Sequence, residues 1–429
     1  MKTRIIPRYP VGNPNRKYRQ DRFILSTFRG DTDDMRRGIS EVKELGFNLV
    51  EFAWVNPERS LECMNMCEDV GIDGLFQNWR VFGGFQETKG GTEIDPEELK
   101  RYIAHTKKFR HVAGYYVWDE PLADEKIKLA AEQVAMMERV DPERLPFTVA
   151  IPSYNKTHHW DDGKFPEYLR KYAEVIEPAV MSLDYYPFRL QLPDRAFAHQ
   201  LDDSRLFLDI AMLRRVSLDK GIPMWFYFQS QDDPWTYDYF TLSPEKVRMQ
   251  QYNAILHGAK GLQNYNVFEG ALNRDGTHGP LYWFTKDINH RSAMWGRTLM
   301  ALTSTHVFHS PEVLAEDRVF DEFREVLTES RVLGGEALPF RCSVGEFEDG
   351  EGNVYLFVQN RDYEETRVFD LPLREKFRIY EVSAEDGLQK VRVDSAEKLM
   401  IKLAPGDARL LRFQRADEEA YLIDYVLTK

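Results

Sequence analysis

Two adjacent carboxylic acids, Asp119 and Glu120, follow a run of apolar and aromatic residues in "HVAGYYVWDEP", residues 111–121. A carboxyl group pressed among aromatic rings tends to have a raised pKa and to stay protonated at neutral pH, which suits a general acid. The simpler alternative is that Asp119 caps a helix beginning near Pro121 and that Glu120 merely accompanies it. The sequence favours the catalytic interpretation and leaves the capping one open.

The elements that position this pair can be read from short apolar runs that alternate with longer amphipathic stretches. That order predicts successive βα units rather than a series of hairpins. Eight strands are predicted, at residues 22–28, 47–54, 72–79, 112–118, 145–151, 179–186, 223–229 and 261–268. Eight βα units in roughly 250 residues predict a (β/α)8 TIM barrel. An open doubly wound sheet is disfavoured, because "STFRGDTDD" follows the first strand in place of a glycine-rich phosphate loop.

After about residue 330 the pattern changes to alternating strands joined by short polar or glycine-containing turns, as in "VGEFEDGEGNVYLFVQNR". Strands without intervening helices predict a small antiparallel β-sandwich. We therefore predict a catalytic barrel domain over residues 1–330 and a β-sandwich domain with a C-terminal tail over residues 331–429. The final segment, "ADEEAYLIDYVLTK", is expected to form a short amphipathic helix or an ordered tail.

Composition restricts the class of protein. A chain of 429 residues with 43% hydrophobic content can bury a large core, and a formal charge of −13 argues against a nucleic-acid partner. No apolar run approaches the ~20 residues of a membrane span, and the first residues lack the apolar part of a secretory signal. We expect a cytoplasmic protein without a membrane partner. The cysteines Cys63, Cys67 and Cys342 are expected to be free thiols.

Functional residues of a TIM barrel lie at the carboxyl ends of its strands. In this chain those positions carry aromatic, amide and charged side chains. Rings pack on the C–H faces of a sugar while amides and carboxylates bind its hydroxyls, so the set indicates a carbohydrate ligand. The residues predicted to bind substrate at or shortly after the strand ends are Trp54, Trp79, Arg80, Trp118, Tyr185, Tyr186, Gln229, Gln231, Trp235, Asn264 and Asn266.

The segment "GYYVWDEP" resembles the "DEP" signature on strand four of many TIM-barrel glycoside hydrolases. Clan A of these enzymes carries its acid/base glutamate in an "NEP" motif at the same place. The segments "GFNLVEFAW", "SLDYYPF" and "HGAKGLQNYNVF" on strands two, six and eight agree with the resemblance, as does the C-terminal β-sandwich. It implies that Glu120 donates a proton to the glycosidic oxygen, with Asp119 standing where clan A has asparagine.

Strand seven departs from the clan A pattern. Clan A places its nucleophilic glutamate there, whereas this chain reads "FYFQSQDDP", with Gln229 and Gln231. An amide cannot act as a carboxylate nucleophile, so the second catalytic group must come from elsewhere.

Three carboxylates are candidates for the second role. Asp119 could polarise a substrate 2-acetamido group, as a consecutive Asp-Glu pair does in substrate-assisted β-N-acetylhexosaminidases. Asp184 on strand six could pair with a strand-four carboxylate, as in the α-galactosidase-like clan. Glu269, after strand eight, could hold a water for inversion. The sequence favours Asp184 slightly, because "LDYYPF" places it beside two rings.

A metal site is the other chemistry that the sequence raises. His158, His159, Asp161 and Asp162 lie together in "KTHHWDDGKF", but adjacent histidines on a loop often face solvent, and no metal or cofactor is expected. The sequence thus predicts a glycoside hydrolase acting on a neutral or N-acetylated sugar, with an oligosaccharide or glycoside as its substrate. A non-catalytic carbohydrate-binding protein on a hydrolase scaffold is the alternative, because the strand-seven glutamate is missing.

Overall fold

The computed structural model describes residues 1–28, 34–53, 57–77, 96–153, 164–188, 203–230, 242–268, 270–314, 323 and 325–428. Two short 3₁₀ helices span Pro311–Leu314 and Leu327–Glu329. The other elements, in chain order, are β1 (Lys2–Arg8), β2 (Ile24–Phe28), α1 (Met35–Glu44), β3 (Leu49–Phe52), α2 (Pro57–Val70), β4 (Asp73–Phe76), α3 (Pro96–Thr106), β5 (Val112–Asp119), α4 (Asp124–Val140), β6 (Leu145–Val149), α5 (Lys164–Ile176), β7 (Met181–Asp184), α6 (Asp203–Lys220), β8 (Met224–Gln229), α7 (Pro244–Leu256), β9 (Gly261–Tyr265), α8 (Tyr282–Leu299), β10 (Thr303–His309), β11 (Cys342–Glu348), β12 (Val354–Asn360), β13 (Arg367–Val382), β14 (Gln389–Leu403), β15 (Ala408–Arg415) and β16 (Tyr421–Leu427).

The strands β2 to β9 form one parallel sheet in the order β6-β5-β4-β3-β2-β9-β8-β7. Its two edges meet through a parallel bridge between Ala150 and Leu183, where the Ala150 amide donates to the Ser182 carbonyl at 2.8 Å. The sheet therefore closes on itself, and the predicted (β/α)8 barrel is confirmed. Seven of the eight predicted strands contain an observed strand, and the eighth, predicted at 112–118, is exceeded by one residue because β5 ends at Asp119.

Local sequence explains where several barrel helices begin and end. Asp34 and Ser243 are the N-caps of α1 and α7, and their side chains accept from backbone amides in the first turn. Gly46 and Gly258 follow the ends of the same helices with φ of +87° and +99°, a conformation that glycine adopts without steric cost. No helix in the described part of the chain is long and apolar enough to cross a membrane.

The C-terminal part is the predicted antiparallel β-sandwich. Six strands pair in the order β10-β11-β12-β15-β13-β14. The long strand β13 pairs with β14 along its length and with β15 through its second half, Phe377–Val382. A separate cluster of buried apolar side chains packs on this sheet. The sheet begins with β10, before residue 331, directly after the last barrel helix.

The last segment is a strand, so of the two alternatives predicted there, a short helix or an ordered tail, the helix is wrong. Strand β16 pairs in parallel with β1, in a register that runs from Lys2 opposite Tyr421 to Arg8 opposite Leu427. Tyr421 and Ile423, two residues apart, are buried, which is the period of a strand rather than of a helix. Its partner strand is almost the whole chain away in sequence, so local patterning alone did not reveal the pairing.

The sandwich packs against the barrel through α7 and α8. Trp295 of α8 is fully buried, and its indole N–H donates to the Val382 carbonyl at 2.9 Å. Gly345 of β11 lies against the end of α7, where a Cβ on Gly345 would stand 2.1 Å from the Leu256 carbonyl oxygen. This close backbone contact requires glycine, and the sandwich and the barrel therefore share one packed interface.

We expect Gly345→Ala to lower the free energy of unfolding by about 1–3 kcal/mol, because the added methyl group cannot fit without moving β11 away from α7. Gly350→Ala is the matched control, since no atom lies within 4 Å of a Cβ built there. Urea unfolding followed by circular dichroism measures both. Equal stability of the two variants would contradict a tight interface at Gly345.

Candidate active site

A bulge in β5 determines where the side chains of its last residues point. Between β5 and β6 the residue pairs are Tyr116 with Phe147, Trp118 with Thr148 and Asp119 with Val149, so Val117 is an extra residue. Phe147 and Val149 belong to the apolar cluster inside the barrel, and the Thr148 hydroxyl hydrogen-bonds Tyr172 of the surrounding helix α5. Asp119 therefore points into the barrel, and Trp118 points towards the helices.

Asp119 lies directly above the barrel interior. It is 9% exposed, and the Tyr116 hydroxyl donates to its Oδ1 at 3.1 Å. The helix that follows, α4, begins at Asp124, with Ala123 at its N-cap and no side-chain cap bond. Asp119 thus does not occupy the capping position that the alternative interpretation gave it.

Glu120 has a left-handed backbone, with φ of +48°. Its side chain is half-buried, and its amide donates to the Val149 carbonyl at 3.1 Å, which ties the turn after β5 to the end of β6. A left-handed conformation is uncommon for a residue with a long side chain and costs of order 1–3 kcal/mol. Such strain concentrates at functional sites, and here it sets the direction in which a carboxyl group leaves the strand end.

Asp184, at the end of β7, and Glu120 both act on the same phenol, that of Tyr168 in α5. Burial raises the pKa of Tyr168 well above its ordinary value, and the negative charges of Glu120 and Asp184 are among the further causes. The Tyr168 hydroxyl donates to the Pro121 carbonyl and accepts from the Ile151 amide, each at 3.2 Å. Strands β5 and β7 are the two neighbours of β6 in the closed sheet, so the two carboxylates lie on the same side of the barrel mouth.

A further carboxylic acid, Glu51 of β3, is fully buried in the barrel interior. Its Oε1 accepts from Ser26 at 2.6 Å and from Gln263 at 2.9 Å, and its Oε2 hydrogen-bonds the Tyr227 hydroxyl. Burial raises the pKa of Glu51, these hydrogen bonds lower it, and the charge of Asp119 raises it again, with a net upward shift. Glu51 is a functional candidate that the sequence analysis missed.

Glu51 is joined to Asp119 by a chain of hydrogen bonds. The Tyr227 hydroxyl, bonded to Glu51, also hydrogen-bonds the Tyr116 hydroxyl, which donates to Asp119. These contacts connect β3, β8 and β5 through the middle of the barrel.

An aromatic surface stands at the barrel mouth. The rings of Tyr186 and Tyr265 stack with centroids 4.7 Å apart, and both side chains are partly exposed. Tyr186 was predicted to bind substrate, whereas Tyr265 was missed. The alternation along β9 contained the signal, because Gln263 faces the interior and the residue two positions later must face the same way.

Several residues predicted to bind substrate hold the loops at the mouth. Gln229 is 2% exposed, and its amide group donates to the Phe188 carbonyl at 2.9 Å and accepts from the Phe188 amide at 3.0 Å. Asn264 accepts from the Ser230 hydroxyl at 2.6 Å, and Asn266 accepts from the Phe268 amide at 2.8 Å. These three amide side chains thereby fix the segments that follow β7, β8 and β9.

Two predicted aromatic residues are buried away from solvent. Trp118 is 3% exposed, lies in the apolar cluster shared with the helices, and has the Lys126 ammonium of α4 5.9 Å from its ring centroid. Tyr185 is fully buried in the same cluster. Their surroundings are those of core residues.

Other predicted residues lie outside the described part of the chain. They are the candidate catalytic residue Glu269, the candidate binding residues Trp54, Trp79, Arg80, Gln231 and Trp235, and the loop residues His158, His159, Asp161 and Asp162. Within the described residues, no group of three or more His, Cys, Asp and Glu side chains is placed to hold a metal ion. Cys63, Cys67 and Cys342 form no disulfide with one another and are buried.

Comparison with known proteins finds likeness in structure alone. No family model and no curated protein matches the chain. A beta-galactosidase from Bacillus circulans sp. alkalophilus is similar with a TM-score of 0.59 at 8% identity, over 92% of this chain and 99% of that one. A putative alpha-galactosidase/melibiase from Bacteroides fragilis NCTC 9343 is similar with a TM-score of 0.50 at 12% identity, over 93% and 80% of the two chains. The chain therefore shares with these proteins the fold of a TIM barrel with a C-terminal β-sandwich.

Proposed function

We propose that this protein is a glycoside hydrolase acting on a neutral or N-acetylated sugar, with Glu120 as the general acid. The observation that carries the proposal is the end of β5, where a bulge directs Asp119 into the barrel and a left-handed residue presents Glu120 at the carboxyl-end face. Carboxylic acids at this face are positioned for catalysis in TIM barrels. The shared fold with proteins named as galactosidases supports the same proposal.

Asp184 is our proposed partner of Glu120. Both carboxylates act on the Tyr168 phenol, and two strand spacings separate β5 from β7, which places their backbones roughly 10 Å apart. Side chains that converge from that separation can reach the ~5–5.5 Å of a retaining pair or the ~6.5–9.5 Å of an inverting pair. Asp119 as a polarising group for a 2-acetamido substituent, and Glu269 as the holder of a water, are the alternative assignments.

We expect Glu120→Gln to nearly abolish cleavage of glycosides with poor leaving groups, and to spare much of the bond-breaking step for activated aryl glycosides that leave without protonation. Asp184→Asn should slow both substrate types, because a nucleophile or base acts whatever the leaving group. Rates measured on a matched pair of substrates, one activated and one not, separate the two roles.

Glu125→Gln is the matched control, because Glu125 is an exposed glutamate in the first turn of α4. It should cleave both substrates at the parent rate. If Glu120→Gln did the same, the acid assignment would fail. If the parent cleaved no glycoside of a broad panel yet bound sugars, the protein would be a carbohydrate-binding protein on this scaffold.

We propose that Glu51 carries a proton at neutral pH and thereby supports Asp119. Oε1 accepts two hydrogen bonds, as a carbonyl oxygen does, which leaves Oε2 to hold the proton. When Glu51 is protonated, Oε2 donates to the Tyr227 hydroxyl, which reverses the direction that this bond has with an ionised Glu51. The Tyr227 proton is then available to Tyr116 and the Tyr116 proton to Asp119, so Asp119 receives a hydrogen bond and faces no second negative charge in the barrel.

Glu51→Gln tests this proposal, because glutamine reproduces the neutral acid with one acceptor and one donor group. A raised native pKa gives the parent stability that is complete at pH values below the unfolded pKa and is lost as pH rises through the native pKa. We therefore expect Glu51→Gln to match the parent in urea unfolding near pH 4, below the unfolded pKa of about 4.3, and to exceed it at alkaline pH. Glu51→Leu should be less stable by about 1–3 kcal/mol at both pH values, since the Ser26 hydroxyl and the Gln263 Nε2 group lose the acceptor that Glu51 provides. A Glu51→Gln variant that was weaker than the parent at high pH would show that the ionised form is the native one.

The Tyr186 and Tyr265 rings are our proposed sugar platform, because they stack with each other and remain partly exposed at the mouth. Tyr265→Leu should weaken substrate binding by about 0.5–1.5 kcal/mol, seen as a higher KM with little change in kcat. Tyr363→Leu is a suitable control, since Tyr363 packs edge-on against Phe188 instead. An unchanged KM in Tyr265→Leu would remove that ring from the site.

A further inference from the structure

A second cavity, of about 710 Å³, lies at the opposite end of the barrel from the candidate active site. It is bounded by the starts of β8 and β9, the end of α6, the segment after α8, the chain around residues 6–12 and the turn after β11. Much of its wall is apolar, including Ile222, Met224 and Met300, and the Tyr9 and Tyr425 rings also line it. Its volume is within the range of small-molecule binding sites, and its location is independent of the function proposed above.

Three of the residues that line this cavity each carry a buried polar atom that has no hydrogen-bond partner among the described residues. They are Nη2 of Arg214, Oγ of Ser217 and Nε2 of His257, on side chains that are 6%, 5% and 1% exposed as residues. Arg214 and Ser217 are three residues apart on α6 and so share one face of that helix. Leaving such groups unpaired is costly, and buried polar groups are normally satisfied by protein, water or ligand.

A molecule that satisfies all three of these groups must carry both hydrogen-bond donors and acceptors. Nδ1 of His257 contacts the Asn253 carbonyl at 2.9 Å and must donate to it, since a carbonyl only accepts. Burial lowers the pKa of His257 to about 3, so the ring is neutral and Nε2 carries a lone pair. His257 therefore needs a donor, Arg214 needs an acceptor, and Ser217 takes either. A hydroxyl group supplies each of these.

The charged side chains in the deep part of the cavity already have hydrogen-bond or ion-pair partners in the protein, which favours a neutral ligand. Arg214 forms an ion pair with Glu325 at 2.7 Å. The Lys260 ammonium donates to the Leu299 and Leu302 carbonyls, and burial lowers the pKa of Lys260 to about 7. Asp349 accepts from the Tyr425 hydroxyl at 2.7 Å. The remaining charged side chains, of Arg8, Arg19 and Glu351, are at least partly exposed and stand at the rim.

We propose that this cavity binds a neutral polyhydroxylated molecule of monosaccharide size, through hydroxyl groups that meet Arg214, Ser217 and His257 and a C–H face that packs on the apolar wall. It is a second site, separate from the barrel mouth. Because the ligand is small and its binding offsets the loss of its hydration, a dissociation constant on the order of 1 mM is expected.

Methyl NMR of the full chain, labelled with ¹³C at the methionine methyl groups, tests the proposal. Met224 and Met300 line the cavity, whereas Met64 and Met137 lie in α2 and α4 on the other side of the barrel. Glucose and myo-inositol are the neutral probes, and glucuronate is the anionic one. The neutral probes should shift the Met224 and Met300 signals saturably and leave the Met64 and Met137 signals in place.

Two variants locate the binding. Ala301→Phe fills the cavity from a half-buried wall position and should abolish the shifts. Ser217→Ala should weaken binding roughly three- to tenfold, as expected for the loss of one hydrogen bond. Ser40→Ala on α1, whose hydroxyl bonds the Arg36 carbonyl, is the matched control and should bind as the parent does.

Unchanged Met64 and Met137 signals in each variant show that the fold is intact, so loss of binding cannot be assigned to unfolding. The proposal is overturned if neither neutral probe shifts Met224 or Met300. It is also overturned if Ala301→Phe still binds, or if glucuronate binds more tightly than glucose, which would make the ligand an anion.

Discussion

The alternation of side chains along paired strands is the constraint on which the candidate site depends. In a closed barrel every strand has two neighbours, so each residue must face either the interior or the helices. With regular alternation after Tyr116, Trp118 would point inwards and Asp119 would point at α5. The extra residue Val117 reverses that order, and a carboxylate enters the barrel where an indole would otherwise stand. One inserted residue thus converts a strand end suited to packing into one suited to chemistry.

Polar side chains in the barrel interior connect the stability of the core to the candidate active site. A TIM barrel is usually filled by branched apolar side chains, but here Glu51, Ser26, Gln263 and Tyr227 form a hydrogen-bonded layer that crosses four strands. A buried polar layer is tolerated only when its polar groups are hydrogen-bonded. The Glu51 carboxyl group here bonds the Ser26, Gln263 and Tyr227 side chains. Because its last link is Tyr116 bonded to Asp119, the same layer that fills the core also sets the electrostatic surroundings of the site.

The barrel and the position of the carboxylate pair could be predicted from the sequence, because apolar runs of strand length and amphipathic helices are properties of short segments. Side-chain direction could not, since the bulge at Val117 is defined by partners on β6, which the local sequence of β5 does not contain. Glu51 was missed for a related reason. In "LVEF" it stands among apolar residues, and only its contacts with β2, β8 and β9 show that it faces the interior.

The pairing of β1 with β16 bears on how the chain reaches its native state. Residues 2–8 are synthesised before residues 421–427 and acquire this strand partner only when those residues have been made, so the contact has a very large sequence separation. Until then β1 presents unpaired backbone groups and the exposed Ile5 to other chains, as any unprotected edge does. Neither β1 nor β16 belongs to the barrel sheet, but residues 6–12 and Tyr425 form part of the wall of the second cavity, and that part requires both strands to be in place. That cavity is consequently a property of the finished molecule, and its occupation would report that folding is complete.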